Sequence, residues 1–317
     1  MKSEFEFIHY IKKSFGLNAI GDDCAVLPKD EKTDMVITAD MLVEDIDFRL
    51  EWTTPEFLGH KALAVSLSDI AAMGAEPKWA LITLGVPEGL WETDFVKRFY
   101  EGWTELSARF DVELVGGDIS RSPDKFVVDS IVGGEVPRGT AILRSEARPG
   151  EGIFVSGRLG GSAGGLHLLE KTGEHRFAED WKQRLIDRQL RPLPRIELGT
   201  HLREFGLSSS MIDLSDGLSS DVYHICEESG VGAELDASLL PIDEDLKNLF
   251  NTEEILGVAI NGGEDFELLF SVPDEKISLL KNTDVYRIGT VTENIGVVEL
   301  KDGEKTVVLQ PSGYRHF

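Results

Sequence analysis

Eight acidic side chains sit among small and apolar residues in this sequence, and that placement restricts the fold more than any other feature. Asp22 and Asp23 lie in Ile20-Gly-Asp-Asp-Cys-Ala25, Asp40 closes Ile37-Thr-Ala-Asp40, and Asp69 falls within Leu67-Ser-Asp-Ile-Ala-Ala72. Asp118 ends Val115-Gly-Gly-Asp118, Asp213 and Asp216 share Ile212-Asp-Leu-Ser-Asp-Gly217, and Glu264 lies in Gly262-Gly-Glu-Asp-Phe266. A carboxylate pressed against apolar neighbours loses hydration, and it stays ionised only where a cation or hydrogen-bond donors replace the water. Several such sites in one chain imply an oxygen-lined cage for hard divalent ions. Mg²⁺ fits first, because it takes few protein carboxylates and leaves positions for water and phosphate oxygens. The acids therefore point to phosphate chemistry.

The rest of the composition narrows the partners. With 317 residues the chain is long enough for two domains. Asp plus Glu outnumber Lys plus Arg by 57 to 32, a formal charge of −25, so nucleic acid and anionic membranes are repelled. An acidic protein that handles phosphates needs metal ions or local arginines to do so. The two cysteines, Cys24 and Cys226, form no CxxC pair, which leaves a disulfide framework and a structural zinc site without support. The segment Met1–Phe7 lacks the apolar core of a signal peptide, and no run approaches the roughly 18 apolar residues of a membrane helix. The expectation is a cytoplasmic protein.

Periodicity predicts a short amphipathic helix over 3–15 with Phe5, Ile8 and Ile11 on one side. A strand over 35–39 ends at Asp40, and a helix from Thr54-Pro55 to Met73 is closed by Gly74. Strands follow at 79–84, 112–115 and 126–132, with a helix over 92–110. Turns around Pro137-Arg-Gly-Thr140 and Arg148-Pro-Gly150 mark a junction, giving domains 1–140 and 141–317. In the second half, strands are expected at 153–156, 210–213, 231–235, 266–272, 284–290 and 295–300. Helices are expected around 177–190, 194–205 and 217–229. The alternation describes an α/β or α+β fold.

Most of the acidic motifs read as a β-like run, a small residue, then an acid where the strand ends and a cleft begins. A plainer reading competes at each position: Asp213 as a helix cap, Asp69 as one half of a salt bridge. The loop Gly157–Gly165 suits a phosphate cradle at a helix N-terminus, although it matches no nucleotide fingerprint, and a tight packing turn explains it equally well. Arg121 follows Asp118-Ile-Ser120 and Arg144 follows the apolar Ala141-Ile-Leu143, and an arginine beside a carboxylate cluster suits either neutralising it or facing the same phosphate. His60, His167 and His224 read as packing or surface residues, and Cys24 as a small buried side chain.

Five segments together resemble thiamine-monophosphate kinases: Gly21–Ala25, Lys61–Ala75, Gly116–Asp118, Ile212–Leu218 and Gly262–Leu268. The likeness extends to Gly313-Tyr-Arg-His-Phe317 and covers essentially the whole chain. It implies the two-domain fold of the aminoimidazole ribonucleotide synthetase-like superfamily, with the N-terminal sheet pairing across a homodimer. It also implies transfer of the ATP γ-phosphoryl group to thiamine monophosphate, giving thiamine diphosphate. By motif, Asp23, Thr38, Asp40, Asp69, Asp118, Asp213 and Asp216 would hold several Mg²⁺ ions. Tyr100, Gly117, Asp118, Arg144 and Ser215 would contact ATP, and Asp47, Glu264 and Tyr314 the thiamine substrate. Since the nucleophile is already an anionic phosphate oxygen, the expectation is direct in-line transfer with no covalent nucleophile.

Other readings differ in testable ways. Selenophosphate synthetase carries a reactive Cys or selenocysteine in an N-terminal loop, and the hydrogenase maturation factor ends in one; neither feature is in this sequence. A two-metal phosphohydrolase would release phosphate without an acceptor. A Ca²⁺-binding protein would need a 12-residue ligand loop, which the scattered acids do not form.

Overall fold

The computed structural model describes residues 4–17, 19–280 and 283–314. In the first half, α1 (Glu4–Phe15), β1 (Ala25–Pro28) and β2 (Thr33–Val43) precede α2 (Pro55–Ala72) and β3 (Glu76–Val86). Then come α3 (Glu88–Trp91), α4 (Phe95–Arg109), β4 (Glu113–Arg121) and β5 (Val127–Pro137). The second half starts with β6 (Gly152–Val155), α5 (Gly161–Thr172), α6 (Asp180–Leu190), α7 (Ile196–Glu204) and β7 (Ser210–Asp213). It continues with α8 (Leu218–Ser229), β8 (Gly232–Asp236), α9 (Thr252–Asn261) and β9 (Leu268–Val272), and ends with β10 (Tyr286–Thr292), β11 (Val298–Asp302) and β12 (Lys305–Val308). The expected side-chain position of Phe5 and the tail Arg315–Phe317 lie outside the described residues. No described helix is long and apolar enough to cross a membrane.

Two mixed sheets result, as the alternation of strand and helix implied. The first runs β1-β2-β5-β3-β4, antiparallel except for the parallel pair β3/β4. The second runs β12-β11-β8-β10-β6-β9-β7, with β11/β8 its parallel pair.

Helix α2 joins the two halves. Thr54 caps it, its hydroxyl accepting from Phe57 N at 3.2 Å, and Pro55 fits the first turn, where an amide proton has no partner to lose. Leu58–Ser68 and Ile70–Ala72 are all buried, so the helix is surrounded rather than amphipathic. It crosses α4 closely: a Cβ on Gly102 would stand 1.9 Å from the Glu56 carbonyl oxygen, and one on Gly59 1.9 Å from that of Phe99. On its other flank a Cβ on Gly199 of α7 would stand 2.1 Å from Ala71 O. One apolar core runs from Phe99, Trp103 and Phe126 through Leu63 and Ile70 to Met211 and Phe270.

Several elements differ from expectation. β4 does not stop at Val115 but continues through Gly116-Gly117 to Arg121, because it pairs along β3 with an extra residue at Val115. Helix α9 and strand β12, which pairs back onto the expected β11, were not expected, yet both carry a local signal. Asn251 and Glu254 form a reciprocal capping box, and Gly303-Glu304 is a two-residue hairpin turn that opens on a glycine at φ 61°. The expected helix over 92–110 starts only at Phe95, after the separate turn α3.

Candidate active site

Four acids from both halves of the chain converge beside α2. Asp23 precedes β1, Asp40 lies on the α2-facing side of β2, Asp69 is on α2 itself, and Asp213 ends β7. One carboxylate oxygen from each of Asp23, Asp69 and Asp213 lies within 4.8 Å of the others. The hydroxyls of α2 and β2 hold this group in place. Thr38 Oγ1 donates to Asp69 Oδ2 at 2.5 Å, and Ser68 Oγ donates to Asp213 Oδ2 at 2.6 Å. From the second half, Arg144 Nη2 donates to Asp23 Oδ1 at 2.7 Å, while its own amide donates to Asp22 Oδ1, also at 2.7 Å. Asp22 thus positions the arginine rather than joining the cage.

The electrostatics are those of a site short of positive charge. Burial pushes the Asp213 carboxyl up to about 8, with the Asp23 charge adding to it against the Ser68 hydrogen bond and Arg144. Burial likewise pushes Asp40 up to about 6, opposed by a Ser66 hydrogen bond and reinforced by Asp129 and Asp23. Asp69 is held well above the usual carboxylate range by burial and then by Asp40 and Asp213, and Asp23 is raised by burial despite Arg144. One oxygen each of Asp23 and Asp40 is buried with no hydrogen-bond partner among the described residues. An all-oxygen set with orphaned buried oxygens and mutual repulsion fits hard divalent cations such as Mg²⁺. Cys24, among these acids, has its thiol pushed well up by burial and by their charges, which leaves it inert.

The segment after Asp213 carries the site outward. Asp216, Asp221 and His224 place ligand-type atoms within 4.8 Å of one another at the start of α8. Burial and then the Arg144 charge push the His224 ring down to about 4, so it is neutral there. Glu264 N donates to Ser215 O at 2.8 Å, and Tyr314 N donates to Asp216 O at 3.1 Å. Burial raises the Tyr314 hydroxyl, and the nearby charges of Asp47, Glu264 and Asp216 raise it further. Asp47 also accepts from Val43 N at 2.8 Å. Asp47, Glu264 and Tyr314, far apart in sequence, therefore meet beside Ser215 and Asp216.

Other expected residues lie elsewhere. Across the first sheet, Asp40 aligns with Ser130, Ile82 and Gly117, whereas Asp118 aligns with Thr83, Asp129 and Met41. Side chains alternate across a strand, so Asp118 points from the open face, opposite to Asp40. Strand β4 is also three strands from β2, about 14 Å at the usual spacing. Within this chain Gly117 and Asp118 thus stand apart from the cage. Tyr100 is half-buried on α4, edge-on to Phe99 with centroids 5.7 Å apart. Arg121 is exposed and pairs with Glu88 at 3.7 Å, so it does not face the acids. His60 is a packing residue, as read, with Nε2 2.9 Å from Pro192 O. The Gly157–Gly165 loop proves to be a packing turn. Asp265 Oδ2 accepts from Gly160 N at 2.6 Å and Oδ1 from Ser162 N at 3.1 Å, filling the helix N-terminus that a phosphate would need.

Sequence reasoning passed over Lys61, Gln189, Arg188 and Arg195. Lys61 Nζ lies 2.8 Å from Glu264 Oε1, and Gln189 Nε2 donates to Glu264 Oε2. Arg195 grips Glu267 through both Nε and Nη2, at 2.6 and 2.5 Å, and Arg188 adds a third contact at 2.8 Å. Nothing local marks these partners, which come from α2, α6 and the start of α7.

Residues 21–136 match the family described as AIR synthase related protein, N-terminal domain, and residues 148–301 match its C-terminal domain. The chain is 38% identical over 318 residues to the thiamine-monophosphate kinase of Bacillus subtilis (strain 168), spanning 98% of this chain and 95% of that protein. It is 41% identical over 305 residues to that of Escherichia coli (strain K12), spanning 94% and 91%. A solved structure described as AaThiL complexed with AMPPCP and TMP matches with a TM-score of 0.89 at 37% identity, covering 99% of this chain and 97% of that one.

Proposed function

The chain belongs to the thiamine-monophosphate kinase family, and from that premise we propose how its residues divide the work. The enzyme phosphorylates thiamine monophosphate with ATP. The observation that carries the assignment of its centre is the convergence of Asp23, Asp69 and Asp213, with their oxygens within 4.8 Å of one another.

Asp23, Asp40, Asp69 and Asp213, with Thr38 bracing Asp69, would hold Mg²⁺, and Asp216 a further ion. Bound there, Mg²⁺ supplies positive charge between two phosphate groups that otherwise repel each other. Arg144 fixes Asp23 and presents its guanidinium to ATP, and Ser215 lies where the segment from Asp213 turns outward to meet it. Asp47, Glu264 and Tyr314 receive the thiamine half, whose cationic ring suits an acidic, aromatic pocket. The attacking phosphate oxygen of thiamine monophosphate is already anionic, so no side chain need remove a proton, and the γ-phosphoryl group passes in line to it.

Residues 1–140 form the metal and dimerisation half, and 141–317 complete the nucleotide and substrate site. The open face of the first sheet supports a homodimer. Met35, Ile37, Trp79, Leu81 and Ile131 are only half-buried there, and Met41 is 59% exposed. Gly117 and Asp118 stand on or beside that face, and Tyr100 is the remaining ATP contact. The protein would work in the cytoplasm, where both substrates are at hand.

Incubation with γ-labelled ATP alone tests the in-line step: no label should remain on the protein. A trapped phosphoenzyme refutes it. ADP release should require thiamine monophosphate, and acceptor-independent phosphate release would instead favour hydrolysis.

A further inference from the structure

The segment Gly262–Glu267 carries three acids in different company. Asp265 is spent on the N-terminus of α5, and Glu267 on Arg188 and Arg195. Glu264 stands apart. Its φ of 63° puts a non-glycine residue in the left-handed region, a strained state that persists only when the surroundings enforce it. Its side chain is 30% exposed, and its charge reaches Tyr314. Both carboxylate oxygens are held from within the protein: Oε1 by Lys61 Nζ at 2.8 Å, Oε2 by Gln189 Nε2. Gln189 is oriented in turn by Ser162, whose hydroxyl donates to its Oε1.

Lys61 is only 3% exposed, in the second turn of the helix that also bears Asp69. An ammonium so enclosed is tolerated only with an anion in contact, and Glu264 is that anion. His60 ties the chain leaving α6 to α2 through Pro192 O, which keeps Gln189 and Lys61 in fixed relation.

We infer that Lys61 is a positioning residue for the thiamine side of the site: with Gln189 it fixes the direction of the Glu264 carboxylate before substrate arrives. This rests on the assignment of Glu264 to the substrate. A glutamate with three free torsions would otherwise have to be ordered on binding, at a cost in affinity. Lys61 acts through Glu264, so its removal should weaken thiamine monophosphate binding while sparing ATP.

Steady-state kinetics and titration with a non-hydrolysable ATP analogue test this on Lys61→Met, Glu264→Gln and the double variant. Lys61→Met should raise KM for thiamine monophosphate at least tenfold, with kcat reduced less than threefold and analogue affinity unchanged. In the Glu264→Gln background the same substitution should add less than twofold. A full tenfold effect there would overturn the inference, because Lys61 would then act independently. An unchanged KM in Lys61→Met beside a raised KM in Glu264→Gln also overturns it, whereas an unchanged KM in Glu264→Gln removes the substrate assignment itself. Should Lys61→Met fail to fold, Gln189→Leu carries the test: KM for thiamine monophosphate should rise several-fold, and no change would overturn the inference.

Discussion

Replacing Asp213 with asparagine should destroy catalysis and yet stabilise the metal-free protein at alkaline pH. Asp213 is 2% exposed at the end of β7, and burial, then Asp23, pushes its carboxyl from the usual 3.8 to about 8. The folded state therefore binds more protons than the unfolded state between those values. By linkage, stability falls as pH rises through that window, and the loss is complete only above the folded pKa. At about 1.4 kcal/mol per unit, the ceiling is roughly 6 kcal/mol. Asp213 shares its titration with Asp23, Asp40 and Asp69, so removing this one charge recovers only part of that ceiling, about 2–3 kcal/mol. Asparagine keeps an oxygen to accept from Ser68 Oγ, so the 2.6 Å hydrogen bond survives. With about 2–4 °C per kcal/mol in domains of 150–250 residues, the variant should melt about 5–10 °C higher in EDTA at pH 8.5. Near pH 4 the two proteins should melt together. Mg²⁺ should raise the melting temperature of the parent more than that of the variant and close the gap, while kcat of the variant falls at least a hundredfold, about 2.7 kcal/mol. Differential scanning fluorimetry across pH 4–9, with and without Mg²⁺, reads all of this. A variant less stable at pH 8.5 in EDTA, or a difference that does not change with pH, would refute the argument.

Asp118 is exposed on the outermost strand, so Asp118→Asn should leave the melting temperature unchanged while lowering kcat strongly. Unchanged turnover at saturating Mg²⁺ would remove it from the metal set. Gly102→Ala gains up to about 1 kcal/mol of helix propensity. Its new Cβ would nonetheless stand 1.9 Å from Glu56 O, so a net loss of about 1–3 kcal/mol is expected by urea unfolding. Met41→Arg on the open sheet face should shift the protein from dimer to monomer in light scattering, and a dimer that persists would place the interface elsewhere.

The sequence made some of this legible because certain signals are local. Thr54-Pro55 and Gly74 bound α2 through one cap, one first-turn proline and one left-handed glycine. The capping box of Asn251 and Glu254 and the turn at Gly303-Glu304 were equally local, and were overlooked rather than hidden. The strand-end pattern misled at Asp40 and Asp118, which both lie inside strands, because a strand continues for as long as its neighbour offers a partner. The glycine-rich loop looked open to phosphate because its occupant, Asp265, is about a hundred residues away.

By itself the sequence determined the kind of chemistry: acids set among small and apolar neighbours, a donor set that suits hard cations, and strand and helix alternating in two halves. Tertiary structure alone decided who meets whom. Asp213 reaches Ser68 and Glu264 reaches Lys61 because α2 is enclosed on every side, and Arg144 reaches Asp23 from 121 residues further along the chain. Desolvation is legible from neighbours in the chain, whereas the compensating partner is set by packing between elements that no local pattern encodes.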